Sequence, residues 1–126
     1  MFQSLGGKTI VDVTTRGLSP NPTGLRNLSK KLGLNILAGT GYHTARTHSP
    51  DATQKTVDQL TEEMIKDAES GFGETDVKAG VIGELGISHP IAENERKALR
   101  AAAHAQRSTD SRSAFTYRGK ENMPLP

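Results

Sequence analysis

The chain has 126 residues, a length that suits one modest domain or part of a larger one, and 33% of them are hydrophobic, so its core is lean. Lys and Arg number 16 against 14 Asp and Glu, a net charge of +2 with no basic stripe, which argues against a nucleic-acid partner. Cysteine is absent, excluding disulfides and thiolate metal sites, and no apolar run approaches the roughly 18 residues of a membrane span, so a cytoplasmic protein with no membrane partner is expected.

The run Thr9–Thr15 is rich in β-branched residues and bounded by Gly6-Gly7 and Gly17, which predicts a buried strand. Pro20 and Pro22 punctuate the loop after it. Leu25, Leu28 and Leu32 then recur at helical spacing, and Gly33 is placed to end that helix. A second strand is predicted at Leu34–Ala38, followed by Gly39-Thr40-Gly41. Residues 42–55 show no periodicity and read as a loop. Thr56 and Gln59 have capping-box spacing, and Val57, Leu60, Met64, Ile65 and Ala68 form one helical face, stopped by Gly71 and Gly73. A third strand is predicted at Lys78–Leu85. After His89-Pro90, a helix from about Glu93 to Arg107 presents Ala98, Leu99, Ala102 and Ala103.

Strands alternating with helices and no hairpin signal predict parallel strands with crossover helices. Two architectures use this grammar, the open doubly wound sheet and the eight-stranded α/β barrel. A barrel takes about 250 residues, so this chain would supply about three of its eight strand–helix units. Residues 108–126 lose all periodicity and collect Ser, Thr, Arg and Pro, and are expected to form a disordered or loosely attached tail.

Glu84 stands out for chemistry. It lies at the C-terminal end of an apolar strand, where active sites form in parallel α/β folds, and a carboxylate there is costly to bury without a positive partner. Strict alternation would put it on one face with Ile82 and Gly80, the interior of a barrel. The bland alternative is a strand-end Glu facing solvent or pairing with a Lys. His43, His48, His89 and His104 form no HxH or HExxH pattern, so scattered surface histidines account for all but His43, which follows the second strand. The Gly39-Thr40-Gly41 and Gly71-Phe72-Gly73 pairs lack the third glycine of a dinucleotide loop, and turn formation explains both.

Several segments, in order, resemble one family. Gly6–Leu18 (GGKTIVDVTTRGL) resembles the second barrel strand of the phosphotriesterase family of the amidohydrolase superfamily. Leu34–His43 (LNILAGTGYH) resembles its third strand, Thr56–Glu63 (TVDQLTEE) the helix that follows, Lys78–Gly86 (KAGVIGELG) its fourth strand, and Glu95–Gln106 (ERKALRAAAHAQ) the next helix. The resemblance covers roughly residues 5–107, and residues 108–126 resemble nothing in the family.

The resemblance implies a partial (β/α)8 barrel of a hydrolase with two divalent metals, usually zinc. Their bridging hydroxide would attack a phosphotriester, ester, lactone or amide of a small-molecule substrate. It implies Glu84 as the residue bridging the metals, and Tyr42 and His43, after the third strand, as substrate-pocket side chains. It also implies an HxH pair on the first strand, a His on each of the fifth and sixth, and an Asp on the eighth. None of these is matched in this sequence. One carboxylate cannot hold two zinc ions, so the chain alone is expected to be inactive, and a frameshift or mis-called gene boundary would produce its tail. The alternative is a degenerate, non-catalytic α/β fragment acting only by association. Open strand edges make self-association an expectation on either view. A flavodoxin-like binding domain is weaker, because Arg16-Gly17-Leu18-Ser19-Pro20 offers no phosphate-binding loop.

Overall fold

Four parallel strands form one sheet in the order β1-β2-β3-β4, curved into half of an α/β barrel. The computed structural model describes residues 1–118. Strand β1 (Thr9–Asp12) leads to α1 (Pro22–Leu32), β2 (Asn35–Thr40), a short helix α2 (Pro50–Gln54), α3 (Val57–Glu69), β3 (Val81–Ser88), α4 (Glu93–Thr109) and β4 (Arg112–Arg118).

The helix boundaries follow from their caps. Asn21 accepts the Gly24 amide ahead of Pro22, and Gly33, at φ 65°, closes α1. Thr56 and Gln59 form the capping box of α3. Within the loop predicted for residues 42–55, Ser49 caps α2 through the Ala52 amide, with Pro50 at the first helical position. Five residues are too few to show a helical period, which is why composition reads them as loop.

The core lies between the sheet and α3 and α4. Leu60 and Met64 meet Ile82 and Leu85 of β3, and Ala98, Ala101, Ala102 and Ala105 of α4 pack against them. Small alanines let α4 approach closely. The buried stripe therefore runs at spacings of three and four through Ala101 and Ala105, while Ala103, predicted inside, is exposed.

The C-terminal segment differs most from its expectation. Where a tail was predicted at residues 108–126, α4 continues to Thr109 and Arg112–Arg118 adds a fourth strand beside β3. An edge strand needs only one neighbour and no continuous apolar run, so its short Ser, Thr and aromatic sequence suffices. Residues 119–126 lie outside the described residues.

A second difference concerns β3. Ile82 pairs with Ser113 and Leu85 with Phe115, three steps on β3 against two on β4, so β3 holds an extra residue. Gly83, at φ 140°, takes up the irregularity, and a Cβ there would press on the Ala114 carbonyl oxygen. Ile82 and Leu85 thus both face the helices, and Glu84 does not share a simple alternating face with Ile82 and Gly80.

Candidate functional site

Loops after β1 and β2 leave the C-terminal edge of the sheet, where β3 also ends, and they meet there. In parallel α/β folds this edge gathers functional groups. His43 reaches it because Gly86 allows the loop after β2 to lie against β3. A Cβ at position 86 would collide with the Thr44 amide nitrogen and stand 2.9 Å from His43 Nδ1. Nε2 of His48 lies 2.7 Å from the His43 carbonyl oxygen, and the His48 ring meets Tyr42 edge-on at 5.4 Å. His48 therefore braces this loop and is not a scattered surface side chain.

His43 Nδ1 is buried and has no hydrogen-bond partner among the described residues. Oε2 of Glu84 lies 3.9 Å away, beyond hydrogen-bond reach. Both side chains remain partly open, 24% for His43 and 31% for Glu84. The buried Thr15, in the loop after β1, directs its hydroxyl to the Glu84 carbonyl at 3.5 Å, so three successive loops and strand ends frame the pair.

Glu95 fixes this frame from below. It is buried at the start of α4, and its carboxylate accepts the amides of Ala45 at 2.9 Å, Ser88 at 3.0 Å and Ala92 at 3.1 Å, with the Ser88 hydroxyl in addition. Burial opposes its ionisation, but these donors outweigh it and hold its pKa below the ordinary carboxylate value. One side chain thereby ties the loop after β2 to the end of β3 and the first turn of α4. Sequence reasoning placed Glu95 only in a helix. The signal available was a Glu three residues into the helix, after a Pro-broken turn.

Tyr42 is not a pocket side chain in this structure. It is 3% exposed, belongs to the core beneath the helices, and donates its hydroxyl to Glu63 Oε2 at 2.6 Å. Burial first, and then Glu63, push its pKa upward, so it stays protonated. Around it, Arg16 pairs with Asp67 at 2.7 Å, Thr40 donates to the same Asp67 oxygen, and Lys55 pairs with Glu63. This network pins the loops after β1 and β2 to α3. A cavity of about 300 Å³ opens beside Arg16, Thr40 and Phe72, and neither His43 nor Glu84 lines it.

Zinc is the group the resemblance implies, and the fit is incomplete. Among the described residues no three His, Cys, Asp or Glu side chains come together as a metal-holding group, whereas a catalytic zinc takes about three protein ligands. Glu84 and His43 Nδ1, 3.9 Å apart, are two donors that the described residues bring together. The strand where the resemblance implies a His, β4, reads RSAFTYR and contains none.

Comparison with known proteins follows this geometry. The Phosphotriesterase family model matches residues 1–125, including the segment read as a non-matching tail. The N-acetyltaurine hydrolase of Danio rerio is 43% identical over 105 residues, which is 83% of this chain and 30% of that protein. A resiniferatoxin-binding protein from Rhodobacter sphaeroides superposes with TM-score 0.85 at 36% identity, covering 87% of this chain and 31% of that one. A phosphotriesterase homology protein from Escherichia coli, solved with phosphate in its active site, superposes with TM-score 0.89 at 26% identity, covering 93% and 41%. The chain thus spans about 30% of the length of the curated relative it matches. No helix among the described residues is long and apolar enough to cross a membrane.

Proposed function

The chain belongs to the phosphotriesterase family, and we propose that it forms part of the barrel of a metal-dependent hydrolase acting in the cytoplasm on a small molecule. The target is an amide, ester, lactone or phosphotriester, and the N-acetyltaurine hydrolase relative supports the amide. The observation that carries the reading is the Glu84–His43 pair, Glu84 midway along β3 and His43 in the loop after β2, with His43 Nδ1 buried and without a hydrogen-bond partner among the described residues. Glu84 contributes one carboxylate to a metal centre, zinc in this reading, whose other ligands come from outside the described residues. When bound, such a metal lowers the pKa of its water and polarises the target oxygen. This chain's own residues supply position. Gly86 admits the His43 loop, Glu95 locks that loop to β3 and α4, and His43 stands beside Glu84 on the substrate side.

Zinc titration by calorimetry tests the reading. The wild-type chain takes up zinc weakly, Glu84→Ala abolishes the uptake, and the chain alone hydrolyses neither ester nor amide probes. Uptake unchanged in Glu84→Ala overturns the metal role of that residue. One observation favours a second reading, a non-catalytic fragment acting by association: β4 lacks a histidine where the resemblance implies one. That reading expects no zinc uptake in either chain.

A further inference from the structure

We propose that the outer faces of α3 and α4 form a docking surface for a second copy of this chain, the acidic row on α3 of each meeting the basic row on α4 of the other. Both helices lie in the outer layer of the barrel, so the surface uses neither edge of the sheet. The inference is independent of the hydrolase reading.

On α3, Asp58, Glu62 and Glu69 are exposed, whereas Leu60, Met64 and Asp67 are buried on the opposite side. On α4, Arg96, Arg100 and Arg107 are exposed, whereas Ala98, Ala101 and Ala105 are buried. The two rows have the same spacing, the second residue 4 positions and the third 11 positions after the first. At about 3.6 residues per turn, each triplet falls on one line about 16 Å long, facing away from the core.

Nothing within the chain answers these charges. Among the described residues none of the six side chains forms an ion pair. Lys66, on α3, donates its ammonium to the Gly71 and Gly73 carbonyls, both at 2.8 Å, and so is drawn away from the acidic row. From Arg96 to Thr109, α4 contains no acidic residue.

Charge complementarity selects the occupant. A polyanion drawn to the arginines would meet Asp58, Glu62 and Glu69 on the neighbouring helix, which repel it. A second copy carries both rows. Crossover helices between parallel strands run the same way, so α3 and α4 are parallel. The Thr61 hydroxyl lies 3.5 Å from the Ala101 carbonyl oxygen, and Lys97 reaches the Thr53 and Lys55 carbonyls just ahead of α3. The helices therefore stand level to within about one turn. A two-fold axis along the groove between them lays α3 of each copy on α4 of the other, a self-complementary contact that closes at two chains. Each acidic row then runs along the facing basic row, within reach of the long arginine side chains.

Sedimentation equilibrium of the chain at low ionic strength is expected to give a two-chain species that separates at high salt. The screening length shrinks from about 10 Å at 0.1 M to about 3 Å at 1 M salt. Glu62→Arg and Arg100→Glu each set like charges opposite one another on both sides of the axis, and each should weaken self-association about tenfold or more. Both positions are exposed, so the helical circular dichroism should be kept. Mixed in equal amounts, the two variants should associate with each other as the wild type does, because the two reversals then face one another and the other side keeps its native pair. A single chain at low salt overturns the proposal, as does association indifferent to salt or to both reversals, which would use another surface. A mixture that associates no better than either variant alone also overturns it.

Discussion

The β2–β3 half of the molecule and the β1–α1 edge follow the same strand–helix grammar and end in different states. Around β3, the helices α3 and α4 bury Met64, Ala101 and Ala105 completely. Along the edge, α1 buries none of its residues, and Leu28 and Leu32 remain 44% and 40% exposed despite forming the apolar stripe the sequence predicts. α1 and α3 are both capped by side chains, so local signals do not separate them. What separates them is company. α3 has a sheet beneath it and α4 beside it, whereas α1 rests chiefly on β2. An amphipathic stripe specifies which face will be buried, and only tertiary neighbours decide how much burial follows.

The largest expected effect comes from removing the centre of the packed half. Met64→Ala takes an unexposed side chain out from between α3, α4 and β3, and should cost about 2–5 kcal/mol in a chemical denaturation series. An effect below about 1 kcal/mol would mean that this half is no better packed than the edge.

Glu95 tests whether the packed half also holds the site. Glu95→Gln retains size but loses the charge that three backbone amides point at, and about 2–3 kcal/mol should be lost at neutral pH. Because the folded pKa is lowered, the stabilisation is present above the unfolded value of 4.5 and disappears as pH falls through the folded one. The gap between wild type and Glu95→Gln should therefore narrow below about pH 4. A gap constant with pH would show that Glu95 acts through shape alone.

How much was legible in the sequence divides along the same line. The alternation of strands and helices, the caps at Thr56–Gln59 and Gly33, and the family segments are local patterns, and the structure keeps them. Strand-end position singles out Glu84 and His43 separately, and only the fold brings them to 3.9 Å, with Glu84 midway along a strand that runs on to Ser88. Tyr42 misled because its neighbour His43 lies at the rim, whereas only burial shows that the tyrosine ring turns under the helices to Glu63. Glu95 was missed because its partners, Ala45 and Ser88, are far apart from each other in the chain and become neighbours only through the fold. The strand β4 was missed because an edge strand is defined by the neighbour it pairs with, and seven residues with a single phenylalanine and tyrosine carry little periodic signal.

The smallest expected effect sharpens the contrast from the other side. Leu28 is 44% exposed on α1, so Leu28→Ala removes side-chain surface that is largely in water already. Alanine also favours the helix slightly, which offsets part of the lost contact. The change in stability should stay within about 0.5 kcal/mol, against several for Met64→Ala. Chemical denaturation of both variants measures the contrast, and a cost for Leu28→Ala near that of Met64→Ala would show that the edge is as tightly packed as the β2–β3 half.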